Sequence, residues 1–509
     1  MRNMKRYLAF LLAALMLFSL AACEKGQGGA EPVETTAPVQ AQAEYLKNDY
    51  VLSENVPQGS VVEGVMTDIS GGDPVLEKTT ASWLDTCVLY EVNIRQYTEE
   101  GTFKAFEAHL GRLKGMGINT LWLMPVHPIS QTDRKGTLGS YYAVDDYTQI
   151  NPEFGTMEDF LHLVDTAHSM GFKVILDWVA NHTGWDNKWI KDHEDWYVHD
   201  ESGAITYPYD WSDTAELNFD NYLMRAEMIK AMQFWVEECG IDGFRCDHAM
   251  GVPAEFWNAA VYKLKSVNRE ILMLAETAAT AALTEYAFDA CYNDNLYSQS
   301  LMMQAGIETD ALQKALVPNA FYSDNAGSFP MNYTDNHDKN SYEGTIYDRF
   351  GDSYEAMLAL SFLAPGMPLV YTANEQGYDH EIEFFEKDAV KWEEKPVYAE
   401  FISELAELKS GCKALASTGR DIEFLSTSDL RFLAFSRPAA EGRVYYVANL
   451  YYEALSDVSI DFGVDSARCV LHYDGSTFDF EDKELNLASL GSKEFAPYEF
   501  YIFTAEDPA

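Results

Sequence analysis

Short β-branched and aromatic runs alternate with longer stretches of helical spacing from Cys87 to about Lys409. This alternation predicts repeated β-α units whose strands form one parallel sheet. The predicted strands are Val88–Ile94, Asn119–Met124, Phe172–Asp177, Ile241–Asp247, Ile271–Glu276, Ser328–Asn332 and Met367–Thr372. The predicted helices are Phe103–Met116, Met157–Met170, Tyr222–Cys239, Ala254–Val267 and Tyr354–Leu363. About eight such units over residues 85–409 fit a closed (β/α)8 TIM barrel better than an open sheet.

One connection, residues 178–221 after the third strand, is too long for an ordinary loop and predicts a functional insertion. It is also rich in aromatic residues, with five of the ten tryptophans: Trp178, Trp185, Trp189, Trp196 and Trp211. They are joined by Tyr197, Tyr207 and Tyr209. Such rings form a small satellite core or, beside polar groups, stack on sugar rings, and the sequence leaves both interpretations open.

The pattern changes near residue 410, after which only strand-like runs follow. These runs are Arg431–Ser436, Val444–Leu450, Val458–Phe462 and Tyr498–Thr504, and polar turns separate them. The pattern predicts a separate antiparallel C-terminal domain over residues 410–509, folded as a β-sandwich.

Residues 1–22 have the features of an export signal, with basic residues followed by an apolar run too short to span a membrane. Leu20-Ala21-Ala22-Cys23 resembles the bacterial lipoprotein box, which implies that Cys23 carries a lipid. Residues 23–50 have few large apolar side chains and predict a flexible tether. We therefore expect an exported protein, lipid-anchored on the outer face of the bacterial cytoplasmic membrane, or at the cell surface in a Gram-positive host. The alternative is an ordinary signal peptide with an incidental cysteine.

The charge of the chain is strongly negative, with 36 basic and 81 acidic residues. Such a surface repels phosphate backbones, so nucleic acid is excluded as a partner. A neutral substrate is compatible with this charge. The sequence predicts no oligomeric state.

Acidic residues stand where predicted barrel strands end. Asp177, Asp247 and Glu276 each close a strand, and Asp338 follows the strand that begins at Ser328. The carboxyl ends of all barrel strands meet at one mouth. One such acid alone is more often a helix cap or a loop contact, but four at equivalent positions are hard to explain by capping.

Glycoside hydrolysis needs two carboxyl groups, one ionised and one protonated. Arg245 and Asp247 are two residues apart on a strand, so their side chains face the same side, and the cation should keep Asp247 ionised. A structural ion pair is the alternative. Glu276 has apolar neighbours on its strand, which should raise its pKa and suit a general acid. His182 and His337 lie near these acids in sequence and suit hydrogen bonding to sugar hydroxyls.

Four ordered motifs resemble those of the α-amylase family of retaining α-glucoside hydrolases and transglycosylases. They are Asp177-Trp-Val-Ala-Asn181-His182, Gly243-Phe-Arg245-Cys-Asp247, Glu276 after its strand, and Asn336-His337-Asp338. The resemblance covers residues 87–509. It implies a TIM barrel with residues 178–221 as a short B domain, an α-glucan substrate and double displacement.

The resemblance also implies a role for each site residue. Asp247 would be the nucleophile, Glu276 the acid and then the base, and Asp338 would bind two hydroxyls of the reacting sugar. Five further residues would bind or support the substrate. Arg245 would orient Asp247, and Asp177 would support the mouth. His182 and His337 would donate hydrogen bonds, and Tyr141 would stack on the sugar.

One departure from the family pattern concerns calcium. Many starch-cleaving members have Lys-His three and four residues after the nucleophile, where this chain has Met250 and Gly251. In those members the histidine helps to hold calcium together with the residue equivalent to Asn181. Asn181 is the residue that would contact calcium if the ion binds, but the missing partner argues against such a site. No cofactor is expected to be required.

We expect hydrolysis of α-1,4 bonds in starch-derived malto-oligosaccharides. An α-1,6-glucosidase and a transglycosylase share the same catalytic set and remain alternatives. A non-catalytic glucan-binding lipoprotein is disfavoured because all three acids, Arg245 and both histidines are present.

Overall fold

The alternating sequence patterns correspond to a closed barrel of eight parallel strands in the computed structural model. The structure describes residues 78–505 except 304–305, 307–308, 318–327, 441 and 481. In chain order, the strands up to the end of the barrel are β1 (Leu89–Val92), β2 (Thr120–Leu123), β3 (Lys173–Val179), β4 (His182–Gly184), β5 (Thr214–Glu216), β6 (Gly243–Asp247), β7 (Leu272–Ala275), β8 (Ala290–Tyr292), β9 (Phe329–Tyr333) and β10 (Met367–Tyr371). The barrel order is β1-β10-β9-β8-β7-β6-β3-β2, which confirms the predicted TIM barrel.

The seven predicted strands all occur in the barrel, with ends shifted by a few residues. The eighth, β8, was not predicted because it has only three residues, too few for a recognisable strand pattern. The predicted helix Phe103–Met116 is two helices, Phe103–Glu107 and Leu110–Gly115. They separate where the His109 amide bonds to the Phe106 carbonyl, the third residue back.

Helices follow most barrel strands and cover the outside of the barrel. The longer ones are Met157–Ser169, Tyr222–Glu237, Ala254–Val267, Asp294–Met303, Tyr354–Leu363 and Ala399–Gly411. Shorter ones are Ile94–Tyr97, Ala281–Thr284, Asp310–Leu316 and Ile346–Phe350. Two further short helices lie elsewhere, Lys188–Asp192 in the insertion after β3 and Leu487–Leu490 in the C-terminal domain. The helix Met157–Ser169 begins with a capping box between Thr156 and Asp159, the local signal that fixes its first turn.

The insertion after β3 contains the small antiparallel pair β4–β5 and the helix Lys188–Asp192. Its aromatic residues divide into buried and exposed ones. Trp189 and Trp196 are buried and form a local core, whereas Tyr207 and Tyr209 are exposed and Trp211 is half-buried. The exposed rings remain available to a ligand.

The predicted all-β C-terminal domain is confirmed. Its strands are β11 (Glu423–Phe424), β12 (Ser426–Thr427), β13 (Phe432–Ala439), β14 (Gly442–Asn449), β15 (Ile460–Asp461), β16 (Ser466–Tyr473), β17 (Phe478–Asp479), β18 (Lys483–Asn486) and β19 (Phe500–Ala505). β12 and β15 pair in a two-stranded sheet, and the other seven form one antiparallel sheet. Alternate side chains of its strands, such as Tyr445 and Val447, face an apolar core.

The C-terminal domain packs directly on the barrel. The Tyr446 hydroxyl donates to the Ala356 carbonyl at 2.8 Å, and the buried guanidinium of Arg437 donates to the Leu363 carbonyl. Residues 1–77, with the predicted signal peptide, the tether and Cys23, lie outside the described residues. Within the described part of the chain, no helix has the length and apolar character needed to cross a membrane.

Candidate active site

The register of the barrel brings one arginine among three carboxylates. Asp177 on β3 pairs with Arg245 on β6, so the two side chains lie next to each other inside the barrel. The fully buried guanidinium of Arg245 lies 2.8 Å from Asp177 Oδ1, 3.1 Å from Asp247 Oδ1 and 2.9 Å from Glu276 Oε1. The expected Arg245–Asp247 contact is therefore present, but it belongs to a cluster of one arginine and three carboxylates rather than to an isolated ion pair.

The carboxyl groups of Asp247 and Glu276 both contact the guanidinium of Arg245, at 3.1 and 2.9 Å. The His248 amide also donates to Glu276 Oε2 at 2.7 Å. Both acids are reachable from solvent, since 12% of the Asp247 side chain and 26% of the Glu276 side chain are exposed. Glycoside hydrolysis uses two carboxyl groups beside the scissile bond, and Arg245 holds two such groups side by side at the barrel mouth.

The charges of this pair differ from the expectation in the substrate-free protein. Burial and the neighbouring charge of Glu276 raise the pKa of Asp247 well above its usual range, and Arg245 only partly offsets them. Burial also favours neutral Glu276, but Arg245 and the His248 amide outweigh burial and lower its pKa. The pKa directions of the two groups in the substrate-free protein are thus the reverse of those expected from the sequence, because Arg245 reaches across to Glu276 on the next strand.

Asp338 and His337 lie near the cluster, because the charge of Asp338 acts on Asp247 and His337 contacts Tyr142. The Asp338 side chain is 41% exposed, and its Oδ2 lies 3.5 Å from His337 Nε2. His337 Nδ1 contacts Glu91 Oε1 on β1 at 2.5 Å. Burial disfavours charge on His337, but Asp338 and Glu91 outweigh it and raise the histidine pKa to about 9. His337 is therefore a charged donor aimed beside Asp338.

Glu91 was not predicted, although a carboxylate within the apolar run Leu89–Val92 is the signal that could have revealed it. It is fully buried, and this burial raises its pKa to about 7. The Glu91 side chain is not exposed to the cleft. It holds His337 in place and increases the positive charge on that ring.

The prediction that Tyr141 stacks on the sugar is wrong. Tyr141 is only 1% exposed, its hydroxyl bonds to Asn93, and its ring lies under the guanidinium of Arg95. The next residue, Tyr142, faces the site instead: its hydroxyl donates to Asp177 Oδ2 at 3.0 Å and lies 2.8 Å from His337 Nε2. Tyr141 and Tyr142 are the two central residues of a turn that the Ala143 amide closes on the Ser140 carbonyl, and their side chains have different partners.

Asp177 has a supporting position. It is fully buried and accepts hydrogen bonds from Trp122, Tyr142 and Arg245, so it contacts the residues of the mouth rather than the cleft.

His182 lies near the cluster, at the start of β4. Burial lowers its pKa to about 3, so the ring is neutral. Asn181 Nδ2 lies 3.3 Å from His182 Nδ1. When Nδ1 accepts this bond, Nε2 carries the proton and has a hydrogen to donate.

The surroundings of Asn181 do not fit a calcium site. A methyl group placed on Gly251 would meet Asn181 Oδ1 at 2.8 Å and His248 Nε2 at 2.5 Å, so the His248 ring fills the space beside that oxygen. Calcium prefers six to eight oxygen ligands. The described residues contain no group of three or more His, Cys, Asp or Glu that could hold a metal.

Aromatic rings border the cluster on two sides. Beside Asp338 and His337, Tyr142 stacks near Phe384, which in turn contacts the exposed Tyr342. Beside His248, the rings of Tyr209 and Trp211 form the second border. A chain of flat sugar rings could therefore contact aromatic surface on both sides of the acids.

Comparison with known proteins adds an independent result. The family model "Alpha amylase, catalytic domain" matches residues 79–214 and 192–421. Alpha-amylase MalA of Haloarcula japonica is 26% identical over 428 residues, which cover 80% of this chain and 62% of that protein. An alpha-1,4-glucan:maltose-1-phosphate maltosyltransferase of Salinibacter ruber is 25% identical over 407 residues, covering 73% of this chain and 60% of its own length. The chain thus spans about three fifths of these two relatives.

A solved structure agrees with the fold throughout. The alpha-amylase from Lactobacillus plantarum superposes with a TM-score of 0.72 at 26% identity, covering 83% of this chain and 99% of that one. The match extends beyond the barrel strands, because 83% of the chain exceeds the share that the barrel alone occupies.

Proposed function

The chain belongs to the α-amylase family of glycoside hydrolases, and on this premise we propose that it hydrolyses α-1,4 bonds of malto-oligosaccharides with retention of configuration. The observation that carries the proposal is the close pair of Asp247 and Glu276 on the guanidinium of Arg245. In the retaining mechanism that we propose, one carboxylate of such a pair attacks the sugar directly and the other acts as acid and then as base.

In the first half-reaction, the Asp247 carboxylate attacks the anomeric carbon and Glu276 donates a proton to the departing glycosidic oxygen. The C–O bond to the leaving sugar breaks, and a β-linked glycosyl ester forms on Asp247. The pKa directions of the free protein favour the proton on Asp247, so the proposal requires that Glu276 holds a proton once substrate is bound.

In the second half-reaction, the ionised Glu276 takes a proton from a water molecule. This water attacks the anomeric carbon from the face that the leaving sugar vacated, and the ester bond to Asp247 breaks. Two inversions restore the α configuration. Arg245 contacts both carboxylates and balances their charge in each step.

The reacting sugar is held on the Asp338 side. Asp338 accepts hydrogen bonds from two sugar hydroxyls, and the charged ring of His337 donates beside it. His182 donates from Nε2. Tyr142 supplies the aromatic face that was expected from Tyr141. Asp177 acts through Arg245 and Tyr142 as a positioning residue.

Glycosyl transfer is the second candidate function. It is favoured by the similarity to a maltosyltransferase, and it uses the same glycosyl ester with a sugar hydroxyl in place of water. An α-1,6 specificity is a further variant that shares every group named above.

The test is incubation of the purified protein with malto-oligosaccharides and pullulan, with product size and anomeric form followed by NMR. The proposal predicts maltose-series products that appear first as the α anomer, and no reaction by Asp247→Asn. Cleavage of pullulan alone would indicate α-1,6 specificity. Products longer than the substrate would indicate transfer, and a first product in the β form would exclude retention.

We also propose that the protein is exported and anchored by lipid on Cys23, because residues 1–23 have a basic, apolar and lipoprotein-box pattern. Cells grown with labelled palmitate should incorporate label into this protein. Cys23→Ser should abolish labelling, and labelling that persists would contradict the anchor.

A further inference from the structure

The guanidinium of Arg245 lies among three aromatic rings. Its central carbon is 5.0 Å from the ring centre of Trp122 and 5.7 Å from those of Tyr142 and Tyr292. Aromatic rings at such distances attract a cation, and the Arg245 side chain has no exposed surface. Trp122 and Tyr142 also donate hydrogen bonds to Asp177. Tyr292 has a different partner, which the reaction steps described above do not use.

Tyr292 is the last residue of β8, the short strand that the sequence pattern did not reveal. Its hydroxyl oxygen accepts a hydrogen bond from Arg245 Nε at 3.1 Å, and the residue is only 5% exposed. Burial raises the pKa of this hydroxyl well above its usual value, and the charge of Arg245 only partly offsets that effect. Tyr292 therefore contacts the arginine as a neutral acceptor and not as a fourth anion.

Each of the three guanidinium nitrogens has a separate contact. Nη1 donates to Asp177 and Asp247, and Nε donates to Tyr292. Nη2 lies 2.9 Å from Glu276 Oε1, but within the described part of the chain it forms no aligned hydrogen bond. The contact with Glu276 is therefore close, yet it depends on how the planar guanidinium is turned. The bonds of the other two nitrogens fix that orientation.

We propose that Tyr292 is a positioning residue of the reaction, which acts through Arg245 and keeps the guanidinium against the acid Glu276. This inference rests on the proposed function and adds a residue to its machinery. Without the Tyr292 hydroxyl, the buried Nε–H would lose its acceptor, which is unfavourable away from water. The guanidinium would then turn toward another acceptor, and the unaligned contact with Glu276 would be the first to lengthen.

The contact with Arg245 matters because it influences when Glu276 holds a proton. Burial raises the pKa of Glu276, but Arg245 and the His248 amide outweigh burial. If the guanidinium moves away, the pKa of Glu276 rises, and the alkaline limb of the kcat/KM profile moves to higher pH. The other titratable and charged groups that face Glu276 are unchanged in a Tyr292 variant: Asp177, Asp247, His248, Asp294 and His337.

The experiment compares Tyr292→Phe, which keeps the ring and removes the hydroxyl, with the control Tyr90→Phe. Tyr90 is a buried tyrosine of the barrel strand β1, and its hydroxyl donates to Glu375. On maltotetraose we expect Tyr292→Phe to lower kcat by about tenfold to 100-fold with little change in KM, because a small misplacement of catalytic groups has effects of this size. Its alkaline limb should move to higher pH. Tyr90→Phe should lower Tm but change neither kcat nor the pH profile.

A double-mutant cycle tests whether Tyr292 acts through Arg245. A lysine side chain has no Nε–H of this kind, so Tyr292→Phe should change kcat little when it is added to Arg245→Lys. Additive losses would overturn the proposal, as would an unchanged kcat or an unmoved alkaline limb in Tyr292→Phe. Because the ring is kept, this variant should remain folded, which thermal unfolding verifies. Failure of the proposed function would look different, since the wild-type protein would then release no product from maltotetraose.

Discussion

Arg245 Nη2 lies 2.9 Å from Glu276 Oε1, a contact that joins two neighbouring barrel strands. The same guanidinium contacts Asp177 and Asp247, so one fully buried cation balances three carboxylates. Arg245 was expected to act only on the nucleophile Asp247. Its contact with Glu276 means that the charge of the acid also depends on Arg245. Arg245 thereby couples the charges of Asp247 and Glu276.

The first prediction concerns Arg245→Lys. A lysine keeps the charge but has one ammonium group, which cannot contact three carboxylates at once. We expect kcat/KM on malto-oligosaccharides to fall by about 100-fold or more, and the free energy of unfolding to fall by about 1–3 kcal/mol. Kinetics and chemical denaturation check both. Arg437→Lys, a buried arginine of the C-terminal domain, should lose stability but not kcat. Unchanged turnover in Arg245→Lys would contradict its role.

The second prediction compares two neighbouring tyrosines. Tyr142→Phe removes a hydroxyl that contacts Asp177 and His337, so kcat/KM should fall by about tenfold. Tyr141→Phe removes only a buried bond to Asn93, so stability should fall by about 1 kcal/mol while kcat/KM stays near wild type. The reverse result would restore Tyr141 as the stacking residue.

The third prediction concerns stability at alkaline pH. The pKa of His337 is raised to about 9 in the folded state, so its stabilising contribution is complete below about pH 6.5 and is lost as the pH rises through about 9. Glu91, with its pKa raised to about 7, costs stability as it ionises between about pH 4.5 and 7. Tm should therefore fall between pH 7 and 9.

Glu91→Gln provides the control for this pH dependence. It removes a charge that raises the pKa of His337, so the alkaline loss of Tm should move to lower pH. If the alkaline loss of Tm is unchanged in Glu91→Gln, that loss arises from the titration of a group other than His337.

The fourth prediction concerns calcium. Because the His248 ring fills the space beside Asn181, we expect that chelation by EDTA leaves both kcat and Tm unchanged. Dialysis against EDTA, followed by assay with and without added calcium, checks this. A loss of activity that calcium restores would contradict it.

The positions of the acids could be predicted from sequence because strand ends of a barrel converge. Once the strand ends are predicted correctly, it follows that Asp177, Asp247 and Glu276 lie at one mouth of the barrel. Their charges could not be predicted, since these depend on the reach of Arg245 between strands. In the same way, sequence could not tell which of Tyr141 and Tyr142 faces the cleft, because that depends on the path of one loop.

The most direct measurement of the central claim is trapping of the glycosyl-enzyme. The protein is incubated with a 5-fluoro-α-maltosyl fluoride, digested and mapped by mass spectrometry. The account predicts one covalent sugar adduct on the peptide that contains Asp247, and no adduct in Asp247→Asn. An adduct on Glu276 or Asp338, or full turnover by Asp247→Asn, would contradict it.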